Sequence, residues 1–242
     1  MAPRPDLHPD TANGLDQMRR LQTAVADAAR FASSTTLDDT DRIAGVDQAF
    51  PHAEAVVSAA VVLEGGAVVE EATARRTPPI GYVPGLLAFR EGAAAIAAID
   101  ALDDDPAAIL VDGNGRIHQR QAGLATHLGV VLDRPTVGVA KSLLCGQPDG
   151  AIDDLDAGDR VPIRAGHEID APNDTIVGFA VQTRQFDGSA ARINPVIVSP
   201  GHRVDADGAA DLVEATLDGY KLPAPIRHAD RAASRATERP KG

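Results

Sequence analysis

The spacing of hydrophobic positions changes along the chain from a helical period to alternation. Between residues 14 and 32, large apolar side chains recur every three or four positions, which predicts an amphipathic opening helix. Three short apolar runs follow, and the glycines in the sequence Glu-Gly-Gly at 64–66 predict a tight hairpin between the last two. The predicted strands are 43–50, 56–63 and 67–74.

The middle of the chain alternates helices with strands. Residues 85–102 are rich in alanine and follow Pro84, a residue that favours the first turn of a helix. A predicted strand at 107–112, a helix at 122–132 and an apolar strand at 136–140 come next. This order implies a right-handed parallel crossover, so the sequence predicts an α/β fold with a mixed sheet flanked by helices.

The last third of the chain is less regular. Residues 147–174 form a long acidic stretch with glycines, and strands at 175–183 and 191–198 and a helix at about 207–217 are predicted after it. The arginine-rich end has no apolar cluster, so we predict that it is disordered. The predicted organisation is an N-terminal helix and leader (1–36), one central domain (37–222) and a disordered tail (223–242).

The composition is that of a globular protein outside the membrane. With 242 residues and 44% hydrophobic composition, the chain can bury a sizeable core. No apolar stretch is long enough to span a bilayer and no secretion signal begins the chain, so we expect a cytoplasmic location and no membrane partner. A single cysteine, Cys145, excludes an internal disulfide and a cysteine-based zinc site, and is read as a small buried residue.

The charge balance allows two interpretations. The net charge is -12, from 35 acidic and 23 basic residues, with lysine only at Lys141, Lys221 and Lys241. Such a surface repels polyanions at low salt, which taken alone argues against a nucleic-acid partner. The alternative, which we prefer, is a surface adapted to molar salt, where screening shortens the range of the field to about 3 Å.

Three carboxylates stand where a charged side chain is hard to explain by the fold alone. Asp47 interrupts the apolar run 43–50, Asp112 ends the predicted strand 107–112, and Glu91 lies in the first turns of the predicted helix. An ionised carboxylate removed from water costs on the order of several kcal/mol unless a cation or hydrogen bonds compensate it. Taken singly, Asp112 also fits a turn and Glu91 a solvent-facing helix position. Together the three predict a divalent-metal site.

Six stretches of sequence, in a fixed order, resemble the endonuclease V family, nucleases directed at deoxyinosine. The resemblance runs from about residue 43 to residue 217, and the second and fifth stretches are long enough to make coincidence negligible. The stretches are IAGVD (43–47), YVPGLLAFREG (82–92), ILVDGNG (109–115), GLATHLGV (123–130), PTVGVAKS (135–142) and SPGHR (199–203).

The resemblance implies a fold and a reaction. The fold is an RNase H-like mixed sheet, and the central domain is the catalytic one. The resemblance implies a hydrolase that depends on Mg2+, with Mn2+ as a substitute, and that acts in the repair of DNA containing deoxyinosine. We expect the protein to be a monomer. It cuts the second phosphodiester bond on the 3′ side of the deaminated base and leaves 3′-hydroxyl and 5′-phosphate ends. Inosine-containing RNA stays open as a substrate, as does a protein that binds without cutting, although concentrated carboxylates disfavour a pure binder.

The resemblance also assigns the catalytic residues. Asp47, Glu91 and Asp112 match the family's metal-binding carboxylates. Lys141, which ends an apolar strand in a chain almost without lysine, is expected to contact the scissile phosphate or the attacking water. His202 matches a histidine near the metal site and is expected to position the water or a second metal.

Recognition of the base requires a separate device. Inosine differs from adenine and guanine at its Watson–Crick edge, which an enzyme can inspect only after turning the base out of the duplex. In the family a tyrosine, matched by Tyr82, wedges into the gap that is left. This chain departs from the family at Gly81, where a proline is usual, and at Gln48 and Gln119, which puts fine positioning in question. The other matched substrate-binding residues are Gly85, Leu87, Gly113, His118 and Gly138, while His127 is expected to pack in the core.

Overall fold

The computed structural model describes residues 3–33, 41–52, 55–185 and 193–238. Five helices in this part of the chain flank one nine-stranded sheet. The helices are α1 (Leu15–Ala28), α2 (Leu87–Ile99), α3 (Leu124–Leu132), α4 (Ala206–Ala215) and α5 (Ala224–Glu238). The strands are β1 (Ile43–His52), β2 (Ala55–Glu64), β3 (Ala67–Arg76), β4 (Ala108–Asp112), β5 (Thr136–Ala140), β6 (Gln147–Pro148), β7 (Arg160–Arg164), β8 (Ile176–Val181) and β9 (Val196–His202).

The sheet is mixed, as the sequence predicted. Its strand order is β3-β2-β1-β4-β5-β9-β8-β7-β6. The three central strands β1, β4 and β5 are parallel, and every other neighbouring pair is antiparallel. Because parallel strands present their carboxyl ends at one edge, the residues that follow β1, β4 and β5 share that edge.

Alternating residues of the central strands bury opposite faces of the sheet. Ala44, Val46 and Ile109 pack in one core with residues of α2 and α3. Ile43 and Leu110 point the other way, into a core with residues of α4 and the first turn of α5. A side chain at position 47 follows the same period as Ile43, so it lies on the α5 face.

The prediction of a disordered tail is wrong over most of its length, because residues 224–238 form α5. The small apolar face of Ala229, Ala232 and Ala233 is fully buried against β2. Gly45 makes close docking on β1 possible, since a β-carbon there would stand 2.1 Å from the carbonyl group of Pro225. Residues 239–242 of the predicted tail lie outside the described part.

The other differences concern short strands and boundaries. The sequence did not predict β6 and β7, because β6 has two residues and Pro162 interrupts the alternation in β7. The predicted strand 191–198 starts outside the described part, and β9 extends it to His202. Across the residues described, no helix is long and apolar enough to cross a membrane.

Candidate active site

Asp47 and Asp112 lie side by side at the carboxyl edge of the parallel strands. Val46 pairs with Val111, and each aspartate is the next residue on its strand. Asp47 is buried, and its Oδ1 accepts a 2.7 Å hydrogen bond from the backbone N–H of Gln48. Burial, followed by repulsion from Asp112, raises the pKa of Asp47 to about 8. The pair therefore concentrates negative charge that a cation would relieve.

Glu91 approaches the same edge from α2. Its side chain is buried, and burial raises its pKa to about 7, with a smaller contribution in the same direction from Asp112. The neighbouring Arg90 opposes this shift, with 3.9 Å between its Nε and the Oε1 of Glu91. Arg90 also stacks over Phe50, near the end of β1, at 4.9 Å from the ring centroid. The charge of Asp112 thus acts on both of the other carboxylates that the sequence singled out.

Lys141 follows β5 and ion-pairs with Asp112. Its Nζ lies 2.7 Å from Asp112 Oδ2, and its side chain is 60% exposed. Burial of part of the side chain opposes the charged form, but the hydrogen bond and charge of Asp112 prevail and raise the pKa of Lys141. The ammonium group therefore stays charged at the carboxylate cluster and is accessible to a phosphate.

The donor atoms of this cluster fit a hard divalent cation. Asp47, Glu91 and Asp112 offer only oxygen, the ligand that Mg2+ and Mn2+ prefer. Within the described ranges no three His, Cys, Asp or Glu side chains converge closely enough to enclose an ion by themselves. The Lys141 ammonium already takes one oxygen of Asp112. Since Mg2+ normally keeps several waters and shares a substrate phosphate with one or two carboxylates, an open donor set suits it.

A small cavity of about 70 Å³ lies on the α2 and α3 side of the sheet, and its lining includes Ala88 and Asn114, three residues before Glu91 and two after Asp112. Tyr82, Gly85, Leu87 and His118, four of the predicted substrate-binding residues, line it. Tyr82 is 71% exposed, so its ring is accessible to a partner. Gly85 has φ +75°, a conformation that side chains other than glycine rarely adopt. The cavity thus gathers four of the six predicted substrate-binding residues in one place.

His118 contacts the turn at Gly85, which forms part of the cavity wall. Its Nδ1 accepts a 3.1 Å hydrogen bond from the N–H of Arg120, so its proton is on Nε2, which lies 3.0 Å from the carbonyl oxygen of Gly85. Burial lowers the pKa of His118, which keeps the ring neutral. The side chain is 3% exposed and points to Gly85 rather than to solvent. His118 is therefore placed to fix the turn at Gly85.

Gly113 and Gly138, two of the predicted substrate-binding residues, lie where the loop after β4 packs on β5. A β-carbon at Gly138 would lie 2.4 Å from the backbone nitrogen of Gly115 and 2.6 Å from the carbonyl oxygen of Gly113. Gly138 thus lets the loop after β4 cross β5 closely. Neither Gly113 nor Gly138 is among the residues that line the small cavity.

The structure does not bring His202 to the carboxylates. His202 pairs with Thr136 at the beginning of β5, whereas Lys141 follows the end of that strand. Its ring is 1% exposed, accepts from the N–H of Arg30 at 3.2 Å and lies 3.3 Å from Asp133 Oδ1. The predicted place of His202 near the metal is therefore wrong, because the motif at 199–203 reads along β9 toward the opposite edge of the sheet.

Sequence reasoning missed two residues of the site. The negative charge of Asp230, on α5, contributes to the raised pKa values of Asp47 and Lys141, so a fourth carboxylate faces the cluster. Gln22, on α1, is 1% exposed and donates a 2.6 Å hydrogen bond to the carbonyl oxygen of Gly85. Gln22 could have been found from the sequence, because it shares one face of the helix with the apolar residues Met18 and Val25.

A larger cavity, of about 760 Å³, lies at the opposite end of β1. Ile43, Leu63, Leu212 and Pro225 contribute to its walls, and none of the three carboxylates lines it. Its larger volume does not make this cavity the candidate active site, because the carboxylates with raised pKa values, Asp47 and Glu91, lie at the other edge of the sheet.

Comparison with known proteins agrees with this geometry. A family model described as Endonuclease V matches residues 21–231. Endonuclease V of Halobacterium salinarum is 53% identical over 226 residues, which cover 93% of this chain and 84% of that protein. The crystal structure of Endonuclease V from Streptomyces avermitilis has a TM-score of 0.80 at 37% identity, covering 93% of both chains.

The chain belongs to the endonuclease V family.

Membership in the endonuclease V family makes the chain a nuclease, that is, a hydrolase acting on nucleic acid. It confirms the resemblance and the RNase H-like mixed sheet. The haloarchaeal relative fits the interpretation of the acidic surface as salt-adapted. A structure of Ciona intestinalis Endonuclease V holds a 24mer DNA containing an inosine followed by a ribo-adenosine, with TM-score 0.73, 25% identity, and coverage of 91% of this chain and 96% of that one.

Proposed function

We propose that this endonuclease V recognises deoxyinosine in DNA and, with Mg2+ (or Mn2+ as a substitute), hydrolyses the second phosphodiester bond on its 3′ side. The observation that carries the proposal is the meeting of Asp47, Glu91, Asp112 and Lys141 at one edge, beside a cavity lined by Tyr82, Gly85, Leu87 and His118. Hydrolysis joins a water oxygen to phosphorus and breaks the bond from phosphorus to the 3′ oxygen. The products are a 3′-hydroxyl and a 5′-phosphate.

The carboxylates would hold the cation, with Asp230 as a further oxygen donor from α5. Bound there, Mg2+ would polarise the phosphate and favour departure of the 3′ oxygen. Asp47 and Glu91 must be ionised to bind it, and their raised pKa values mean that binding releases protons near neutral pH. The burial of these side chains also excludes bulk water from their side of the scissile bond.

Lys141 supplies a positive charge that belongs to the protein. Its ammonium group has three donors, and one is used on Asp112. A non-bridging oxygen of the scissile phosphate would accept from another, which stabilises the charge that develops during the displacement. Because the side chain is largely exposed, the phosphate can reach it without movement of the sheet.

The small cavity would take the flipped base. Gly85 would allow the main chain to approach the base edge, and Gln22 and His118 both contact the Gly85 carbonyl oxygen. Tyr82 would fill the gap in the duplex, where an aromatic ring offsets part of an unstacking cost of about 1–3 kcal/mol per base. The inosine-containing DNA in the related Ciona structure supports this choice of substrate.

Inosine-containing RNA is the second candidate substrate. The ribo-adenosine after the inosine in the Ciona complex favours testing it. The four side chains at the cluster act on the phosphate, which DNA and RNA share, so they do not separate the two substrates. Side-by-side cleavage rates on matched DNA and RNA strands decide between them.

The test is cleavage of an end-labelled duplex with one deoxyinosine, in Mg2+ and in EDTA, from low salt to molar KCl. The proposal expects a single Mg2+-dependent nick at the second bond on the 3′ side, retained at high salt. An unmodified duplex of the same sequence is the control. A cut that persists in EDTA, or one that ignores the position of the inosine, contradicts the proposal.

A further inference from the structure

The loop between α4 and α5 presents an aromatic ring close to two guanidinium groups. Tyr220 is 50% exposed. The guanidinium carbon of Arg227 lies 4.0 Å from its ring centroid, and that of Arg184 lies 5.9 Å away. Cation–π contacts of this kind order both long side chains around the ring. We call Arg184, Tyr220, Lys221 and Arg227 the Tyr220 patch.

Lys221 places the Tyr220 patch at the edge of the sheet where Asp112 and Lys141 lie. The hydroxyl group of Thr183, just after β8, donates a 2.6 Å hydrogen bond to the carbonyl oxygen of Lys221 and so anchors the backbone there. Burial, with a further contribution from the charge of Lys141, lowers the pKa of Lys221. Strands β5 and β8 both pair antiparallel with β9 and so run parallel to each other, which places Thr183 and Lys141 at the same edge of the sheet.

Acidic side chains pair with two of the basic residues near this edge. Asp218 ion-pairs with Arg227, and Asp112 ion-pairs with Lys141. Asp230 adds a negative charge that acts on Lys141 from α5. Keeping like charges together costs free energy, and that cost is offset when a polyanion binds across them.

The patch and the cavity lie on opposite sides of the carboxylates. The cavity is built by residues of α2 and the α3 region, on one face of the sheet. The loop that carries Tyr220 joins α4 to α5, and Leu222 packs into the core on the other face. A strand with its base in the cavity and its second phosphate at the carboxylates continues over the edge toward this loop.

We propose that Arg184, Tyr220 and Lys221 bind the sugar–phosphate backbone of the cleaved strand on the 3′ side of the cut. This inference rests on the proposed function, since it takes the cavity and the carboxylates as the sites of the base and the scissile phosphate. The ammonium and guanidinium groups contact phosphates, and the ring of Tyr220 holds the guanidinium in place and covers the sugar. Arg227, paired with Asp218, packs against the same ring.

The experiment compares Lys221→Gln with Arg19→Gln in the full-length protein. Arg19 lies on the exposed side of α1, so the control removes the same charge far from the patch. Binding is measured with Ca2+ in place of Mg2+ on a long deoxyinosine duplex and on one that ends just beyond the cut on the 3′ side. We expect Lys221→Gln to bind the long duplex roughly tenfold more weakly. The slope of log affinity against log salt should become shallower by about one.

The truncated duplex separates the proposal from a general effect of charge. Lys221→Gln and the wild type should bind it equally, and Arg19→Gln should match the wild type on both substrates. Equal losses on the two duplexes, or equal behaviour of the two variants, overturn the patch. If the wild type shows no preference for deoxyinosine at all, the proposed function has failed instead, and the two failures are distinguished by that one measurement.

A second pair of variants tests the aromatic ring. Tyr220→Phe retains the stacking face, while Tyr220→Leu retains bulk and loses it. We expect the leucine variant alone to weaken binding of the long duplex, with its unfolding midpoint within a few degrees of the wild type. Identical affinity in the phenylalanine and leucine variants overturns the role of the ring.

Discussion

The side-chain amide of Gln22 donates a 2.6 Å hydrogen bond to the carbonyl oxygen of Gly85, across 63 residues of sequence. Its Oε1 accepts a 3.2 Å hydrogen bond from Arg120. His118 lies beside Gln22, with its Nε2 3.0 Å from the same carbonyl oxygen. The turn that borders the cavity is thus held by the first helix, so the N-terminal segment is part of the site's support.

Replacing Gln22 with leucine should loosen that turn. The substitution keeps the size of the side chain but leaves Arg120 without this acceptor and removes one donor from Gly85. We expect KM for a deoxyinosine duplex to rise roughly tenfold, the scale of one lost buried hydrogen bond, with kcat nearly unchanged. Gln17→Leu, on the same helix near its start, is the matched control. A fall in kcat with constant KM contradicts a positioning role.

Docking of α5 should depend on the missing side chain at Gly45. A β-carbon there would meet the backbone of Pro225 at 2.1 Å, so Gly45→Ala must displace the helix that carries Asp230. We expect a loss of about 1–3 kcal/mol of unfolding free energy, measured by urea denaturation, together with reduced cleavage. Gly81→Ala is the control, because no atom of the described residues lies within 4 Å of the place that its β-carbon would take. Equal stability of the two variants argues against tight packing at Gly45.

His202 should matter for stability and not for chemistry. It joins Arg30 and Asp133 at the opposite edge of the sheet from Lys141. His202→Gln should therefore lower the unfolding midpoint while kcat, measured well below that midpoint, stays within about twofold of the wild type. A loss of cleavage by several orders of magnitude in a stable variant would restore the role near the metal that the sequence suggested.

Acid should destabilise the protein through His127. The ring is fully buried, with Nε2 2.8 Å from the carbonyl oxygen of Leu7, and burial lowers its pKa to about 4. Unfolded histidine titrates near about 6.5, so between these values the unfolded state binds more protons. The contribution to unfolding free energy is present above that range and falls by about 3 kcal/mol as the pH drops through it.

Urea denaturation between pH 7 and pH 4 checks this account of His127. His127→Gln keeps a donor for Leu7 and cannot be protonated, so its stability should fall less steeply with acid than that of the wild type. The other histidines with lowered pKa values, His118, His202 and His228, are common to both proteins. Parallel curves for the two proteins contradict the assignment.

Most helices and strands could be predicted from the sequence because their apolar residues recur at the regular spacing of a helix or a strand. Strands β1 to β5 and helices α1 to α4 follow patterns whose apolar residues are large enough to show a face. Helix α5 was not predicted because alanine is its main apolar residue, and Arg227, Arg231 and Arg235 give the segment the pattern of a solvated one. Its burial depends on Gly45, some 180 positions away, which no local pattern reveals.

The part of the candidate site that was predictable from the sequence is the group of charged residues at the carboxyl ends of the parallel pairing. Asp47 comes directly after the part of β1 that pairs with β4, Asp112 ends β4 and Lys141 follows β5, and parallel pairing brings these positions together. His202 failed because its motif lies on an antiparallel strand that runs to the other edge. Asp230 could not be predicted as part of the site, because it lies on α5, a segment whose sequence indicates disorder.

The most direct test of the central claim is cleavage and binding by Asp47→Asn on a duplex with one deoxyinosine, with Asp16→Asn on the exposed face of α1 as the control. The account predicts that Asp47→Asn loses cleavage in Mg2+ by at least about a thousandfold, the scale of losing charge stabilisation at the reacting phosphate, and still binds the duplex in Ca2+. Because the buried carboxylate is costly without a cation, the variant should also unfold at a higher temperature than the wild type in EDTA at pH 8. Cleavage by Asp47→Asn at the rate of the wild type would contradict the assignment of the metal-holding carboxylates.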